Sequence, residues 1–210
     1  MINTHVSNNA AWCAAMCRAH GIATSEDGRV WRSPVRTPLY YPDAVTLVPG
    51  LSAAAVLDGV DAGPGASVKD SFADLDLSGH GFSVLFEASW IRREPGPSAA
   101  AEWSLVDTDG GLAAWEEGWG GASGLFVPAL LAEPEVRIVR TPGGGAVLNR
   151  TGDVVGVSNV HGDAWPGAIA AARELFGELP LVGYESGDDV APALAAGFAV
   201  AGPLRVWLRA

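Results

Sequence analysis

The sequence predicts an α/β protein with a mixed central sheet flanked by helices. The chain has 210 residues, of which 49% are hydrophobic and 18% charged, enough apolar material for a sizeable core. A period of two predicts a strand over Gly81–Arg92, and a helical period predicts a long helix over Trp165–Phe176. Strands and helices also alternate through the second half. The apolar face of the predicted strand is formed by Phe82, Val84, Phe86, Ala88 and Trp90.

A linker divides the chain near Glu94–Ala101, which holds two prolines and a glycine and has little to bury. We therefore predict an N-terminal half, residues 1–94, and a C-terminal half, residues 101–210. The first half reads as strand–helix–strand–strand after an opening helix, and we expect it to pack onto the second. Its predicted elements are a helix over Asn8–His20, a strand within Asp43–Pro49, a helix over Leu51–Val60 with Ser52 as N-cap, and the strand Gly81–Arg92; Ser67–Leu77 fits neither period.

The second half has the clearer order of elements. It reads strand, helix, helix, three strands, helix, strand, helix and a final one or two strands, with Gly197 ending the last helix. The predicted strands are Glu102–Val106, Val136–Val139, Gly145–Asn149, Val154–Val160, Leu179–Tyr184 and Ala199–Leu208. The predicted helices are Leu112–Trp119, Gly124–Ala132, Trp165–Phe176 and Val190–Ala196.

Charge and composition exclude several classes of function. The net charge of −11 repels phosphate backbones and anionic lipid, so we expect neither nucleic acid nor a membrane as partner. No basic leader opens the chain and no apolar run reaches about 18 residues, which predicts a cytoplasmic protein. The single lysine, Lys69, together with abundant alanine and glycine, is typical of a GC-rich bacterial coding bias.

Motifs for metal, nucleotide or serine chemistry are missing from the sequence. The four histidines are scattered without metal spacing, and no Walker, Rossmann or Gly-x-Ser-x-Gly motif occurs. Gly143-Gly144-Gly145 joins two predicted strands and is therefore a hairpin turn. Cys13 and Cys17 lie four residues apart on a predicted helix, and we expect two buried free thiols there.

The order of elements after residue 102 resembles the GNAT (N-acetyltransferase) superfamily. The best-matched stretch runs from Gly145 to Arg209 and ends in a helix, Gly197-Phe198 and a strand. The resemblance covers about half of the chain. It also leaves room for a tandem GNAT arrangement in which residues 1–94 are a decayed partial unit, whose strand Gly81–Arg92 pairs with the sheet of the second half.

The resemblance implies a site for acetyl-CoA. In the family, acetyl-CoA lies in a wedge where the fourth and fifth strands splay, with its pantetheine arm on unpaired strand backbone and its pyrophosphate on the loop before the next helix. In this chain those strands are Val154–Val160 and Leu181–Tyr184. The implied cofactor-binding residues are Val157, Ser158, Asn159, Val160, His161, Gly162, Trp165 and Gly167. A bulky residue in place of Gly162 is expected to weaken binding without unfolding the protein.

The loop departs from the family pattern. His161 stands at the Arg/Gln position, Asp163 adds a negative charge, and Pro166 lacks an N–H where a glycine or alanine is usual. Trp165 is bulky for a loop that a ligand must approach closely. Pro166 also suits a first helical turn on structural grounds alone.

The catalytic residues that the resemblance implies are only partly present. The family's usual tyrosine is replaced by Ala193, which leaves Tyr184 as the nearby aromatic hydroxyl. Glu185 or Glu87, or His161 through a water molecule, could deprotonate an amine. Each also has a structural interpretation, as a half-buried strand residue, a solvated carboxylate or a residue that satisfies a turn.

Two functions follow as alternatives. The first is an N-acyltransferase that moves an acetyl group from acetyl-CoA to a small-molecule amine or a peptide, without a metal. The second is a GNAT-fold binding or interaction module that lost its cofactor loop. The loop favours the second, the order of elements favours neither, and a homodimer is compatible with both. In the first half, Lys69, which stands among three aspartates, and the loop Arg36–Pro42 could line an acceptor cleft. Alternatively, Lys69 and Asp70 form a surface ion pair, and the tyrosines of the loop cover the core.

Overall fold

The computed structural model describes residues 2–97 and 99–210, and within them eleven strands form one mixed sheet. The strands are β1 Ser25–Glu26, β2 Val30–Arg32, β3 Ala44–Thr46, β4 Ser67–Asp70, β5 Phe82–Arg93, β6 Ser104–Leu105, β7 Val136–Thr141, β8 Gly144–Thr151, β9 Val154–Gly162, β10 Leu181–Glu185 and β11 Ala199–Arg209. The helices are α1 Ile2–Ala19, α2 Ala53–Leu57, α3 Asp109–Trp119, α4 Trp165–Phe176 and α5 Val190–Ala195. Three 3-10 turns cover Ser78–His80, Pro128–Ala132 and Gly187–Asp189.

The sheet order is β1-β2-β3-β4-β11-β5-β10-β9-β8-β7-β6. The pairs β3–β4 and β9–β10 are parallel and the other neighbours are antiparallel. The predicted α/β class and mixed sheet are therefore confirmed. The parallel pairing of β9 with β10, on which the wedge depends, is confirmed as well.

The two halves of the chain interleave within this sheet. Strand β5, from the first half, lies between β10 and β11 of the second. Strand β11 in turn lies between β4 and β5, so both of its neighbours come from the first half. The pairing of Gly81–Arg92 with the other half is thus present, although the first half extends the shared sheet and does not pack onto it as a layer.

Helix α1 holds the halves together from one face of the sheet. Asn8 donates to the Asn149 carbonyl oxygen at 2.9 Å, and the Asn149 side chain donates back to the Asn8 carbonyl oxygen at 3.2 Å. Gly156 makes this contact feasible, because a Cβ there would lie 2.1 Å from Asn8 Oδ1. On the next residue, Asn9 Oδ1 accepts from Lys69 Nζ of β4 at 2.8 Å.

One predicted feature of β5 is wrong. Its register against β11 shifts near Leu85, so that Phe86 pairs with Val206 but Val84 pairs with Trp207. The extra residue inverts the alternation. Phe82 therefore joins the core cluster that contains α2, while Phe86, Ala88 and Trp90 pack in the cluster that contains α1.

Other elements match their predictions with shifted ends. Helix α1 begins six residues earlier than predicted, β1 and β2 were not predicted, and Gly124–Ala132 contains only the 3-10 turn Pro128–Ala132. Ser52 caps α2 as predicted, accepting from Ala55 N at 3.3 Å. Cys13 and Cys17 are buried and free, as expected.

The predicted boundaries at 94 and 101 fall in the segment after β5, of which residue 98 lies outside the described residues. The interpretation of residues 1–94 as a partial GNAT-like unit stays a prediction. In the part of the chain that the structure describes, no helix combines the length and the apolarity needed to cross a bilayer.

Candidate functional site

The carboxyl ends of β9 and β10 separate to form a wedge. The two strands pair only at Leu181 with Val155 and Val182 with Gly156. Beyond that point β10 continues to Glu185 and β9 to Gly162 without further pairing between them. The backbone groups that face the gap are therefore available to a ligand.

A bulge in β9 shapes the wedge. Asn159 has a φ of +52°, and the register against β8 shifts between Gly145 and Val147. Left-handed backbone is uncommon for a residue other than glycine and is enriched at functional sites. Such a bulge interrupts the ladder with β8 at Asn159 and changes the local direction of the strand.

The wedge residues differ in what they offer a ligand. The Ser158 hydroxyl is buried and has no hydrogen-bond partner. The side chains of Val157 and Val160 pack in the core cluster on the α4 side, Val157 fully buried and Val160 partly so. Ser158 and Tyr184 occupy equivalent positions on the two parallel strands, two residues beyond the last pair, and thus flank the wedge on the same face.

Tyr184 packs on the α1 side of the sheet. Its ring makes an edge contact with Trp90, with centroids 5.7 Å apart, and Lys69 Nζ lies 4.1 Å from the ring centroid. Lys69 is only 3% exposed, so the interpretation of this residue as part of a surface ion pair with Asp70 is wrong. The Asp70 carboxylate instead accepts the backbone N–H groups of the following turn.

Tyr41 brings a second phenol to the same place. Burial raises its pKa well above the ordinary value, with further contributions from the Cys13 thiol and from Tyr184, while Asn159 and Trp12 partly offset the rise. The loop that carries Tyr41 is held by the buried Asp43 carboxylate, which binds Arg36 at 2.6 Å and Thr37 N at 2.9 Å. The predicted acceptor loop therefore lies against the wedge.

Glu185 stands at the mouth of the wedge, as the last residue of β10. Burial raises the pKa of its carboxyl to about 8, and the neighbouring Asp189 adds to the rise. Glu87 has a different environment. It is 67% exposed and binds Arg205 of β11 at 2.8 Å, which commits its carboxylate to an ion pair.

The loop before α4 is built for close backbone contact. Gly162 has a φ of +61°, and a Cβ there would lie 1.9 Å from the Gly143 carbonyl oxygen. Asp163 N donates to that same oxygen at 3.0 Å. Contrary to the expectation from sequence, a bulky residue at 162 would disturb this turn, so its effect would not report on binding alone.

The remaining loop residues face several directions. The His161 ring packs against Trp115 of α3 with centroids 5.0 Å apart, and burial lowers its pKa, which favours the neutral ring. Trp165 is buried against Phe198, so its bulk points into the core and not into the loop. Gly167 packs on Thr141 and on the Glu102 carbonyl, where a Cβ would clash.

The start of α4 offers an anion a helix terminus, and the loop that leads into it carries no lysine or arginine. Ala164 is the N-cap and provides no side-chain hydrogen bond, and Pro166 in the first turn has no N–H. No lysine or arginine occurs between Arg150 and Arg173. The exposed Asp163 adds a negative charge beside this terminus.

A row of aromatic side chains borders the site on the α3 side. Tyr40 is 63% exposed, has a φ of +72° and makes an edge contact with Trp119. The row continues through edge contacts at 4.9–5.8 Å between ring centroids. Its members are Tyr40, Trp119, Phe126, Trp115 and His161.

The sequence reasoning missed Asn9, and it named Lys69 as a possible cleft residue without predicting its burial or its partners. Their signals were present. Two adjacent asparagines, which are poor helix formers, lie within an apolar helix. The only lysine of the chain follows Val68 in a short strand. Neither signal indicates a partner, because that depends on which elements meet in space.

A metal cluster and a groove away from the wedge are two other kinds of site to consider. No group of three or more His, Cys, Asp or Glu side chains that could hold a metal is found in residues 2–97 and 99–210. A groove of about 480 Å³ lies between α1 and the β8–β9 turn, away from the wedge. Arg18 and Glu133 line this groove and form an ion pair with each other at 2.6 Å.

Comparison with solved structures identifies the fold. A GCN5-related N-acetyltransferase from Kribbella flavida superposes with a TM-score of 0.62 at 16% identity, covering 96% of this chain and 95% of that one. A conserved protein of unknown function from Staphylococcus epidermidis gives 0.58 at 10% identity, covering 90% and 94%. A GNAT-family protein from Novosphingobium aromaticivorans superposes with a TM-score of 0.57 at 13% identity, covering 98% of this chain and 99% of that one.

These similarities extend over nearly the whole chain and show that it has the GNAT fold, so the resemblance predicted for the second half is present in the fold as a whole. At these identities they show the fold alone. No family model matches the sequence, and a search of curated proteins also gives no match.

Proposed function

We propose that this protein is an N-acyltransferase that moves an acetyl group from acetyl-CoA to an amine. The observation that carries the proposal is the wedge itself, in which β9 bulges at Asn159, β10 diverges, and a carboxyl with a pKa of about 8 stands at the mouth. An open pair of strands with unpaired backbone costs hydrogen bonds unless a ligand satisfies them. The fold of the neighbouring structures supports the same class by analogy.

The residues fit the acyl end of the donor better than its phosphate end. Backbone groups of Ser158–Val160 that do not pair with β10, together with the partnerless Ser158 hydroxyl, are the candidate donors and acceptors along the wedge. The α4 terminus supplies N–H groups but neither lysine nor arginine, and Asp163 opposes an anion there. We therefore expect acetyl-CoA to be held chiefly by its pantetheine arm, with modest affinity.

Bound acetyl-CoA would supply an activated thioester carbonyl. The chain's own contribution begins with Glu185, whose raised pKa makes its carboxylate a stronger base than an ordinary glutamate. It would accept the proton of the attacking amine at weakly alkaline pH. Glu87 is the weaker candidate for this role, since Arg205 already holds its carboxylate.

Tyr184 and the bulge complete the proposed site. The Tyr184 hydroxyl is the candidate proton donor to the leaving thiolate, because Ala193 is buried under the sheet and carries no such group. Backbone N–H groups at the Asn159 bulge are the candidates to stabilise negative charge on the thioester oxygen. His161, packed on Trp115, would hold the bulge in place from behind.

A binding module without catalysis is the second candidate, and the loop favours it. Asp163, Pro166 and the absence of a basic residue from 151 to 172 together weaken the usual phosphate site. Homodimer formation is compatible with either function and stays a prediction, as does a peptide acceptor in place of a small amine.

Calorimetric titration separates the two candidates. Acetyl-CoA and S-acetyl-pantetheine are titrated in parallel, and both should bind with dissociation constants below about 1 mM and within about tenfold of each other. Turnover on a panel of amines is then measured for wild type and Glu185→Gln. Failure of both donors to bind at about 1 mM would refute the acyltransferase proposal and leave the binding module.

A further inference from the structure

We infer that the site takes an acceptor that carries a carboxylate, which Lys69 recognises. This inference rests on the proposed function, since it names the class of acceptor that the same site would use. Its basis is a buried cation without a counter-ion. Lys69 is 3% exposed and is the only lysine of the chain.

The contacts of Lys69 are all with neutral groups. In the described residues its ammonium donates to Asn9 Oδ1 at 2.8 Å and lies 4.1 Å from the centroid of the Tyr184 ring. Cys13 is close enough for the lysine charge to lower the pKa of the thiol against the larger effect of burial. An ammonium has three N–H donors, and these contacts use one hydrogen bond and one ring face.

The carboxylates of two neighbouring segments are committed elsewhere. Asp70 accepts three backbone N–H groups from the turn that follows β4. Asp43 on the neighbouring segment binds Arg36 and Thr37. Among the described residues no carboxylate oxygen lies within 4.0 Å of Lys69 Nζ, and the ion pairs present all involve arginine.

A buried charge without an opposite charge is costly, and proteins keep such groups where a ligand supplies the partner. The place is right for a substrate group. Tyr184, on which Lys69 lies, is half-buried and flanks the wedge beside the partnerless Ser158 hydroxyl. In our inference the carboxylate of the acceptor pairs with Lys69 beside Tyr184, and the amine of the same molecule lies towards Glu185, the next residue of β10.

The overall negative charge of the protein opposes a preference for carboxylates. A net charge of −11 disfavours anions in general. Without a dedicated cation, an amine that carries a neutral amide should bind better than the same amine with a carboxylate. A preference for the carboxylate therefore requires a local positive group, and Lys69 is the cation that contacts Tyr184.

The test compares acids with their amides on the full chain without an acyl donor. The probes are ω-amino acids of increasing length, glycine, β-alanine, γ-aminobutyrate and ε-aminocaproate, each titrated calorimetrically beside its amide. At least one acid should bind about tenfold or more tightly than its amide, the effect of one charge-assisted hydrogen bond. Lys69→Met should abolish that preference, and Arg150→Met, which removes an exposed charge elsewhere, should keep it.

Three results of this binding test would overturn the inference. They are equal affinity for acid and amide in the wild type, no binding of any acid at about 10 mM, and a preference that persists in a folded Lys69→Met protein. If Lys69→Met does not fold, the wild-type comparison decides alone. Acetyl transfer at equal efficiency to amines without a carboxylate would support the proposed function and contradict only this inference. A carboxylate preference without any acyl transfer would support this inference and contradict the proposed function.

Discussion

Replacing Glu185 with glutamine should stabilise the protein in a pH-dependent way. An ordinary glutamic acid ionises near 4.5, whereas burial and Asp189 raise the pKa of Glu185 to about 8. Between these values the unfolded chain releases a proton that the folded chain keeps, so the stability of the folded state falls as pH rises from 4.5 to 8 and is then constant. Glutamine removes this penalty. The gain in stability should therefore be near zero at pH 4, grow through pH 5–7 and level off above pH 8.

The size of the gain follows from the environment of the side chain. Each pH unit between the two pKa values is worth about 1.4 kcal/mol, which gives an upper limit of about 5 kcal/mol. Because Glu185 is only half-buried, screening by water reduces this to about 1–3 kcal/mol. Urea unfolding at pH 4, 7 and 9 measures it, with Glu117→Gln, at an exposed position of α3, as the control for losing a charge.

The same variant tests the catalytic role. If Glu185 is the base, wild-type kcat/KM should rise with pH to a plateau above about pH 8, and Glu185→Gln should lower it by about 10²–10⁴-fold and flatten the profile. A stability gain that does not vary with pH would contradict the raised pKa. A variant with the wild-type pH–rate profile would contradict the assignment of the base.

Three further outcomes are expected. The fragment 101–210 should show no sharp thermal melt, because β11 loses both neighbouring strands; a melt close to that of the full chain would contradict the shared sheet. Gly156→Ala should cost about 1–3 kcal/mol by urea unfolding, since its Cβ meets two asparagine oxygens, whereas Gly110→Ala, in open space on α3, should not destabilise. Asp163→Asn should tighten acetyl-CoA binding about two- to fivefold by calorimetry, and an equal effect of Asp153→Asn, in the β8–β9 turn, would show that net charge alone is responsible.

The local elements that the sequence predicted well are those whose pattern is complete within one segment. The helix predicted over Trp165–Phe176 is observed with the same bounds. The Ser52 cap and the end of the last helix at Gly197 follow from side-chain and backbone chemistry confined to a few residues. The parallel pairing of β9 and β10 followed from the order of elements between them. The failure at Phe82 has an equally local cause, because a single extra residue at the Leu85 bulge reverses a period of two and leaves no trace in composition.

The sequence alone thus determined the class of fold, the strands of the wedge and the residues of the α4 loop, Asp163 and Pro166, that disfavour an anion, since strand and helix periods, a proline and an aspartate act where they stand. Only the tertiary structure decided that β5 enters the sheet of the other half, that Glu185 is half-buried while Glu87 is paired with Arg205, and that Lys69 is a buried cation beside Tyr184. The physical reason is that the burial and partners of a charge depend on segments far apart in the chain. Asn9 and Lys69 are 60 residues apart, and Lys69 and Tyr184 lie in different halves; their contact exists only because α1 and β4 meet at the end of β10.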